Sequence, residues 1–360
     1  MKRFAALLFA LVLVLSLGAC SGEKAPAVPS SPADPAVPET SSSPVEPAPA
    51  PESASPAAPE GTGKTLRVAA LKGPTAMGMV KLMKDARAGE TANDYQFTLA
   101  GSPDEIVGSI IKGDFDLAAV PTNLAATLYN KTNGRVELLA LNTLGVLYLV
   151  ETGETIQSVA DLEGKTIYAT GKGSTPEYAL NYILAQNGLE GKVSVEYKSE
   201  HGELAALLAQ GQAEIALLPQ PFVTTALSQN DQLRVALDLT AEWDKAARGQ
   251  SQLTMGCVIV QRSFVEENTA AVAAFLAEYE ASVAFVTDAG HLDEAAALVV
   301  EEGILPKEAV AKAALPQCGI TFVAGEEMKK TASGFLQVLY DADPSAVGGA
   351  LPDDGLYYLG

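Results

Sequence analysis

Short apolar runs alternate along the chain with stretches in which apolar residues recur at helical spacing. Residues 66–71 and 165–170 form two apolar runs of strand length, and each passes through a glycine-containing turn into an amphipathic segment. Helices between short apolar strands are typical of parallel sheets whose two faces are both covered. The pattern therefore predicts an α/β fold.

The same order of elements occurs twice, about one hundred residues apart. Each copy has a KG-x-T turn, a helix that ends at glycine and an apolar strand that ends at proline. The matching pairs are 72–75 with 172–175, 105–113 with 203–211, and 116–121 with 214–219. Ligands in α/β sheets bind beyond the carboxyl ends of the strands, where both turns and both prolines fall. We therefore predict two similar lobes with a cleft between them; a chance likeness of two ordinary βαβ units is the alternative.

Two longer runs predict the connections between the lobes. Residues 136–151 are apolar and β-prone over more than a typical strand of about five or six residues, which indicates a strand that leaves one lobe and enters the other. Residues 251–261 are the predicted return, so the chain crosses a hinge twice. The predicted boundaries are 64–146 with 255–360 for lobe I and 147–254 for lobe II.

The amino-terminal part of the chain is predicted to direct export and to anchor the protein. Residues 1–19 combine two basic residues with an apolar run too short to span a membrane, as in a signal peptide. They end in Leu-Gly-Ala before Cys20, which resembles the bacterial lipobox and implies that Cys20 is lipidated; a cleaved signal with an incidental cysteine is the alternative. Residues 20–63 are rich in Pro, Ala and Ser and predict a disordered tether.

Charge and motif content narrow the function classes. The formal net charge of −20 argues against a nucleic-acid partner, which needs basic patches. The sequence has no Cys-x-x-Cys or His-x-x-x-His spacing, no GxSxG and no Walker A motif, which disfavours a metal site and an enzyme. His201 is predicted to lie in an exposed loop, and His291 at the surface start of a helix. Cys257 and Cys318 form either a disulfide or two buried thiols.

The turn 171–177 is a candidate cradle for a negative or acceptor-rich ligand. It combines glycines, Ser174 or Thr175 as a helix cap and a proline in the first helical turn. Free N–H groups at such a helix start favour anions. A capping box of Ser174 and Glu177, without a ligand, is the alternative.

Other candidate contacts follow from the duplication. Lys72 and Lys172 occupy equivalent positions, where they either converge on a negative group or remain solvated. Asn123 and Gln220 come shortly after the strand-ending prolines, so their amides are plausible hydrogen-bond partners in a cleft. Thr122 is predicted to cap its helix.

The order of these segments resembles one protein family. The segments that carry the resemblance are the lipobox, the tether, the KGPT turn, DLAAVPTN at 116–123, the crossing strand, DLEGKTI at 161–167 and GKGSTPEYAL at 171–180. Their order is similar to that in substrate-binding lipoproteins of ABC importers in the nitrate, sulfonate, taurine and thiamine-pyrimidine-precursor group. The resemblance covers residues 65–360, and the tail 348–358 also looks like a tail of relatives. It implies a two-lobed type II periplasmic-binding-protein-like α/β fold with two hinge crossovers.

The resemblance also implies the ligand loops and the function. The residues in these loops are Lys72, Gly73, Pro74, Thr75, Pro121, Thr122, Asn123, Gly171, Lys172, Gly173, Ser174, Thr175, Pro219 and Gln220. The resemblance implies an extracytoplasmic, monomeric solute-binding lipoprotein without cofactor or catalysis. Such a protein delivers a small polar or anionic organic molecule to an ABC permease and its ATPase. An enzyme of the menaquinone-synthesis lyase type and a sensor or adhesion lipoprotein are the alternatives. The loops contain no arginine, so the ligand's identity stays open.

Overall fold

The computed structural model describes residues 61–360; the predicted signal peptide, Cys20 and nearly all of the predicted tether lie outside the described residues. The strands are β1 (Thr65–Leu71), β2 (Asp94–Ala100), β3 (Leu117–Pro121), β4 (Val136–Leu144), β5 (Leu147–Thr152), β6 (Thr166–Ala169), β7 (Ser194–Tyr197), β8 (Ile215–Pro219), β9 (Leu233–Asp238), β10 (Thr254–Gln261) and β11 (Ile320–Ala324). The helices are α1 (Pro74–Met77), α2 (Val80–Ala88), α3 (Asp104–Lys112), α4 (Thr122–Lys131), α5 (Thr175–Gln186), α6 (His201–Ala209), α7 (Phe222–Leu227), α8 (Leu239–Ala247), α9 (Arg262–Glu267), α10 (Thr269–Thr287), α11 (Leu292–Glu301), α12 (Glu308–Ala314) and α13 (Gly325–Ala342).

These strands form two sheets, and we use lobe I and lobe II for the first and second sheet with their helices. The first has the order β11-β4-β10-β3-β1-β2 and the second β7-β6-β8-β5-β9. The strand order β2-β1-β3 of lobe I recurs as β7-β6-β8 in lobe II, with parallel pairing in both. The two-lobed α/β fold is confirmed. The sheets are mixed rather than purely parallel, because β5 and β10, which lie beside the crossings, run antiparallel to their neighbours.

The long apolar run is divided where the chain passes between the sheets. β4 ends at Leu144 in lobe I and β5 begins at Leu147 in lobe II. Between them the Gly145 N–H donates a 3.0 Å hydrogen bond to the Leu253 carbonyl, which ties the first crossing to the returning chain. A side chain has no room at this point, since a Cβ on Gly145 would lie 2.1 Å from Oγ1 of Thr240.

Apolar packing joins the lobes on the hinge side. Trp243 of α8 is fully buried, with its ring centroid 4.8 Å from that of Tyr182 and 5.4 Å from that of Phe335 on α13. The 19-residue helix α10 has the length and hydropathy of a membrane span, but it packs in lobe I through a buried stripe that includes Phe275 and Tyr279. One apolar cluster therefore contains residues of both lobes, which packs them together on the hinge side.

Candidate functional site

A cavity of about 120 Å³ lies between the two lobes, beyond the carboxyl ends of their strands. Its lobe I wall consists of the turns after β1 and β2, the ends of β3 and β4 and the start of β10: Leu71, Lys72, Gly73, Pro74, Thr75, Gly101, Ser102, Pro103, Pro121, Thr143, Met255 and Gly256. Val146 of the first crossing and residues of lobe II complete it: Gly171, Ser174, Thr175, Pro176, Ser199, His201, Pro219, Gln220 and Phe222.

The predicted ligand loops divide into two groups. Those in contact with the cavity are Lys72, Gly73, Pro74, Thr75, Pro121, Gly171, Ser174, Thr175, Pro219 and Gln220. Those outside its lining are Thr122, Asn123, Lys172 and Gly173. The two lysines therefore do not converge: Lys72 is an exposed residue at the rim, whereas Nζ of Lys172 lies over the ring of Tyr197, 5.8 Å from its centroid.

The turn after β6 is held by its own side chains. Ser174 is the N-cap residue of α5, but its side chain makes no capping bond; its hydroxyl donates a 2.8 Å hydrogen bond back to the Gly171 carbonyl. The Glu177 carboxylate accepts from the N–H of Gly173 rather than from that of Ser174, so neither bond of the predicted capping box is present. Gly171 has φ +75°, and a Cβ there would lie 2.9 Å from both Ser174 Oγ and Pro176 Cγ. The turn is thus compact, and it presents the start of α5 to the cavity.

Two of the predicted amides connect the lobes instead of pointing freely into the cleft. Oδ1 of Asn123 on α4 accepts a 3.2 Å hydrogen bond from the Thr175 hydroxyl at the start of α5. Nε2 of Gln220 donates a 3.2 Å hydrogen bond to Oε1 of Gln317, which precedes β11. Both amides are 1% exposed; the Asn123–Thr175 bond is buried, whereas the Gln220–Gln317 bond is partly buried because Gln317 is exposed.

Thr122 and the two cysteines lie behind the cavity wall. The prediction that Thr122 caps α4 is wrong, because it is the first helical residue and its buried hydroxyl has no partner within the described chain. Cys257 and Cys318 are both buried free thiols. Of the two predicted alternatives, the pair of buried thiols is therefore the correct one, and no disulfide joins these residues. Burial raises the pKa of both, that of Cys318 to about 12.

His201 is a cavity residue that was predicted to lie in an exposed loop. It is the half-buried first residue of α6; Nδ1 shares a hydrogen bond with the Thr170 hydroxyl, and its ring centroid is 5.1 Å from that of Phe222. Burial lowers the pKa of His201 to about 4, so its ring is neutral at pH 7. Within residues 61–360, Nε2 makes no hydrogen bond to the protein and remains available to a ligand.

The duplication contains the signal for this residue. The loops before α3 and α6 occupy equivalent places, because the segments 105–113 and 203–211 match. Extension of that match toward the amino terminus pairs 101–103 with 199–201, and both stretches contribute to the cavity lining. The Glu105 carboxylate accepts from the N–H groups of Gly101 and Ser102, whereas Glu203 accepts no corresponding bond among the described residues; both side chains are exposed.

Comparisons with known proteins agree with this geometry. Residues 89–298 match the family model of the ABC transporter, phosphonate, periplasmic substrate-binding protein. A solved ABC transporter structure from Parabacteroides distasonis is 25% identical, with a TM-score of 0.68 over 82% of this chain and 99% of that chain. No curated protein sequence matches.

Two further solved structures show the same fold. The periplasmic aliphatic sulphonate-binding protein SsuA from Escherichia coli is 19% identical, with a TM-score of 0.64 over 82% of this chain and 92% of that chain. The periplasmic nitrate-binding protein NrtA from Synechocystis PCC 6803 is 14% identical, with a TM-score of 0.57 over 80% and 85%. At these identities the likeness concerns the fold alone.

Proposed function

The chain belongs to the phosphonate-type family of periplasmic substrate-binding proteins of ABC transporters, and we propose that it captures a small organic oxyanion of the sulfonate or phosphonate class in the cavity between its lobes. The names of the family and of the compared structures refer to phosphonate, sulphonate and nitrate. These ligands share a compact group with several acceptor oxygens, which is the chemistry that a site of N–H and O–H donors recognises.

The observation that carries the proposal is the composition of the cavity wall. The starts of α5 and α6 both reach it, and the first N–H groups and positive dipole end of a helix favour an anion. Among the described residues that line it there is no Asp, Glu or Arg, so no carboxylate repels an anion there. The cavity is also smaller than the roughly 300–1,000 Å³ of pockets for drug-sized ligands, which favours a small molecule.

His201 adds a directional group to this site. If the Thr170 hydroxyl donates to Nδ1, the ring proton resides on Nε2, and Nε2–H can donate to an oxygen of the ligand. We propose this tautomer because an oxyanion offers only acceptors when it is fully ionised. Ser199 in the same loop also contributes a hydroxyl to the wall.

We propose the following context for capture. Cys20 carries the lipid, residues 20–63 tether the domain, and lobe I (64–146 and 255–360) closes on lobe II (147–254) as a monomer. The closed form then delivers the ligand to the permease, and the chain itself performs no catalysis. Recovery of a chemically altered ligand after incubation with the purified protein would contradict the last point.

The ligand class is tested by thermal shift and calorimetry with ethanesulfonate, taurine, methylphosphonate, ethylphosphonate and nitrate. We expect at least one organic oxyanion to stabilise the wild type. Ser199→Glu places a negative charge at the cavity and should weaken that binding at least tenfold. Ser194→Glu adds the same charge at an exposed position on β7, at the opposite end of the strand, and should bind as the wild type does. The proposal fails if none of these anions binds, or if the two variants lose affinity equally.

A further inference from the structure

We infer that Asn123 is a positioning residue that holds the cleft closed: its amide bonds Thr175 across the lobes while a C-terminal turn of lobe I fixes it from behind. We call Asn123, Thr175 and the turn Pro344–Val347 the latch. The inference rests on the proposed capture function, since a latch matters only if the lobes open and close. It also gives a role to the carboxyl-terminal turn, which does not line the ligand cavity.

The geometry of a single amide carries the inference. Nδ2 of Asn123 donates a 3.1 Å hydrogen bond to the Ala346 carbonyl of lobe I and lies 3.5 Å from the Gly173 carbonyl of lobe II. Oδ1 accepts the 3.2 Å hydrogen bond from the Thr175 hydroxyl. Asn123 does not line the cavity, whereas Thr175 does. Asn123 therefore acts on the ligand site indirectly, through Thr175 and the turn that precedes it.

The turn is itself anchored to the helix that bears Asn123. Asn130 lies seven positions further along α4 and therefore on the same helix face. Its Nδ2 donates to the carbonyls of Val347 and Ala350, at 2.8 Å and 2.7 Å. The tail continues along lobe I, where the Tyr358 N–H donates a 3.0 Å hydrogen bond to the Leu138 carbonyl. The turn that fixes Asn123 from behind is thus anchored within lobe I.

The commitment of the Thr175 hydroxyl has a consequence for the ligand. This hydroxyl has one hydrogen, which it donates to Asn123. An anion at the start of α5 can therefore use the backbone N–H of Thr175, one of the first N–H groups of the helix, but not its hydroxyl proton. By fixing Thr175, the latch fixes the direction of that N–H.

A second contact bridges the lobes elsewhere around the cavity. Gln220 bonds Gln317 across the lobes, and α7 of lobe II packs on α12 of lobe I. Because contacts cross between the lobes at two separate places, we infer that the structure is the closed arrangement. An opened cleft would replace these hydrogen bonds by bonds to water, so each shifts the closed-to-open ratio by about twofold to tenfold.

The test measures closure of the full chain without any ligand, by single-molecule energy transfer between dyes at exposed positions 112 and 210. These positions lie at the far ends of α3 and α6, the matched helices of the two lobes. Asn123→Ala and Thr175→Val should each lower the closed-to-open ratio by about twofold to tenfold. Asn123→Ala should open the cleft at least as far as Thr175→Val, because it also removes the contact of Nδ2 with the Gly173 carbonyl. The double variant should be no more open than Asn123→Ala, because Thr175→Val then removes no further bond. Thr175→Ser keeps the hydroxyl and should restore closure.

Asn130→Ala is the matched control. It removes the same side chain from the same helix face, but its bonds stay within lobe I. We expect it to leave the closed-to-open ratio within about twofold of the wild type. An equal loss of closure in Asn123→Ala and Asn130→Ala would show that Asn123 only anchors the tail, which would overturn the latch.

Titration with ethanesulfonate and ethylphosphonate separates the latch from the ligand class. For any anion that binds, apparent Kd should rise in Asn123→Ala by the factor by which the closed fraction falls. If no anion binds but Asn123→Ala still opens the cleft, the ligand class is wrong and the latch stands. If Asn123→Ala has the wild-type distribution of energy transfer, the latch is wrong whatever binds.

Discussion

The Thr175 hydroxyl in lobe II donates its hydrogen bond to Asn123 in lobe I, and only Thr175 of this pair also lines the cavity. Both residues come from loops that the sequence predicts to bind ligand. The same loops therefore perform two tasks, contact with the ligand and contact between the lobes. Closure and binding are coupled through such pairs, because a ligand shifts a conformational equilibrium only by its difference in affinity between the two states.

The first prediction concerns the hinge at Gly145. A Cβ at this position would lie within 2.1–2.9 Å of three side-chain atoms of Thr240, so Gly145→Ala forces the first crossing away from α8. We expect the substitution to lower the free energy of unfolding by about 1–3 kcal/mol, the range for overpacking. Urea denaturation followed by Trp243 fluorescence measures it, because Trp243 is buried on α8 and reports the loss of this packing.

Two further variants make this prediction specific. Gly108→Ala changes a glycine of α3 that has open space around it, and it should be neutral or stabilising by about 0.5–1 kcal/mol. Combining Gly145→Ala with Thr240→Ala removes Oγ1 and Cγ2, the two nearest clashing atoms, and should recover part of the lost stability. A Gly145→Ala protein as stable as the wild type would contradict the assignment of this residue as a sterically required hinge glycine.

The repeat in the sequence predicts the layout of both lobes because its signals are local. Apolar runs, helical spacing and glycine or proline ends act over fewer than ten residues, and they locate β1, β3, β6, β8, α3 and α6. The run 136–151 likewise predicts a crossing, and the structure divides it into β4 and β5 in different sheets. The antiparallel pairing of β5 and β10 has no such signal, since strand direction depends on the neighbour in the sheet.

Side-chain partners are the part that a single sequence does not reveal. Asn123 is 52 positions from Thr175 and 223 positions from Ala346, so no local pattern reports that one amide joins them. The same applies to His201, whose burial results from Thr170 and Phe222 on other elements. Its polar neighbours in sequence indicate an exposed loop, and only the extended repeat places it opposite the lobe I wall.

The second prediction concerns the buried carboxylate of Glu151 on β5. Its side chain is 1% exposed, pairs with Arg234 and accepts hydrogen bonds from the N–H groups of Thr155 and Ile156, both at 3.1 Å. Glu151→Gln removes the charge that these donors surround. We expect a loss of about 1–3 kcal/mol in the free energy of unfolding, because the N–H groups of Thr155 and Ile156 and the partly exposed Arg234 lose their charged acceptor. Urea denaturation measures the loss.

The comparison for Glu151 is an exposed ion pair in the same lobe. Glu163 lies 3.2 Å from Lys192, and their side chains are 60% and 51% exposed. Glu163→Gln should change the free energy of unfolding by less than about 1 kcal/mol, as exposed pairs usually do. If Glu151→Gln cost no more than Glu163→Gln, the burial of Glu151 would not matter for stability.

The third prediction concerns acid and His201. Burial lowers its pKa from 6.5 to about 4, so the folded protein keeps a neutral ring at pH values where the unfolded chain binds a proton. Between pH 6.5 and about 4 the unfolded state therefore binds more protons, and the free energy of unfolding falls as the pH falls. Across this window we expect the wild type to lose about 1–3 kcal/mol more than His201→Gln does.

Glu151 contributes in the same direction but at lower pH. Burial raises its pKa, but the hydrogen bonds from Ile156 and Thr155 and the pairing with Arg234 outweigh burial and lower the pKa below 4.5. Its stabilisation is therefore present above pH 4.5 and is lost as the pH falls below that value. Urea denaturation at closely spaced pH values separates the two groups.

His291→Gln alters an exposed histidine, and its stability should fall with pH as that of the wild type does. A His201→Gln protein with the wild-type slope between pH 6.5 and 4 would show that His201 is not buried as a neutral ring, and its role as an Nε2–H donor to the ligand would then lose its basis.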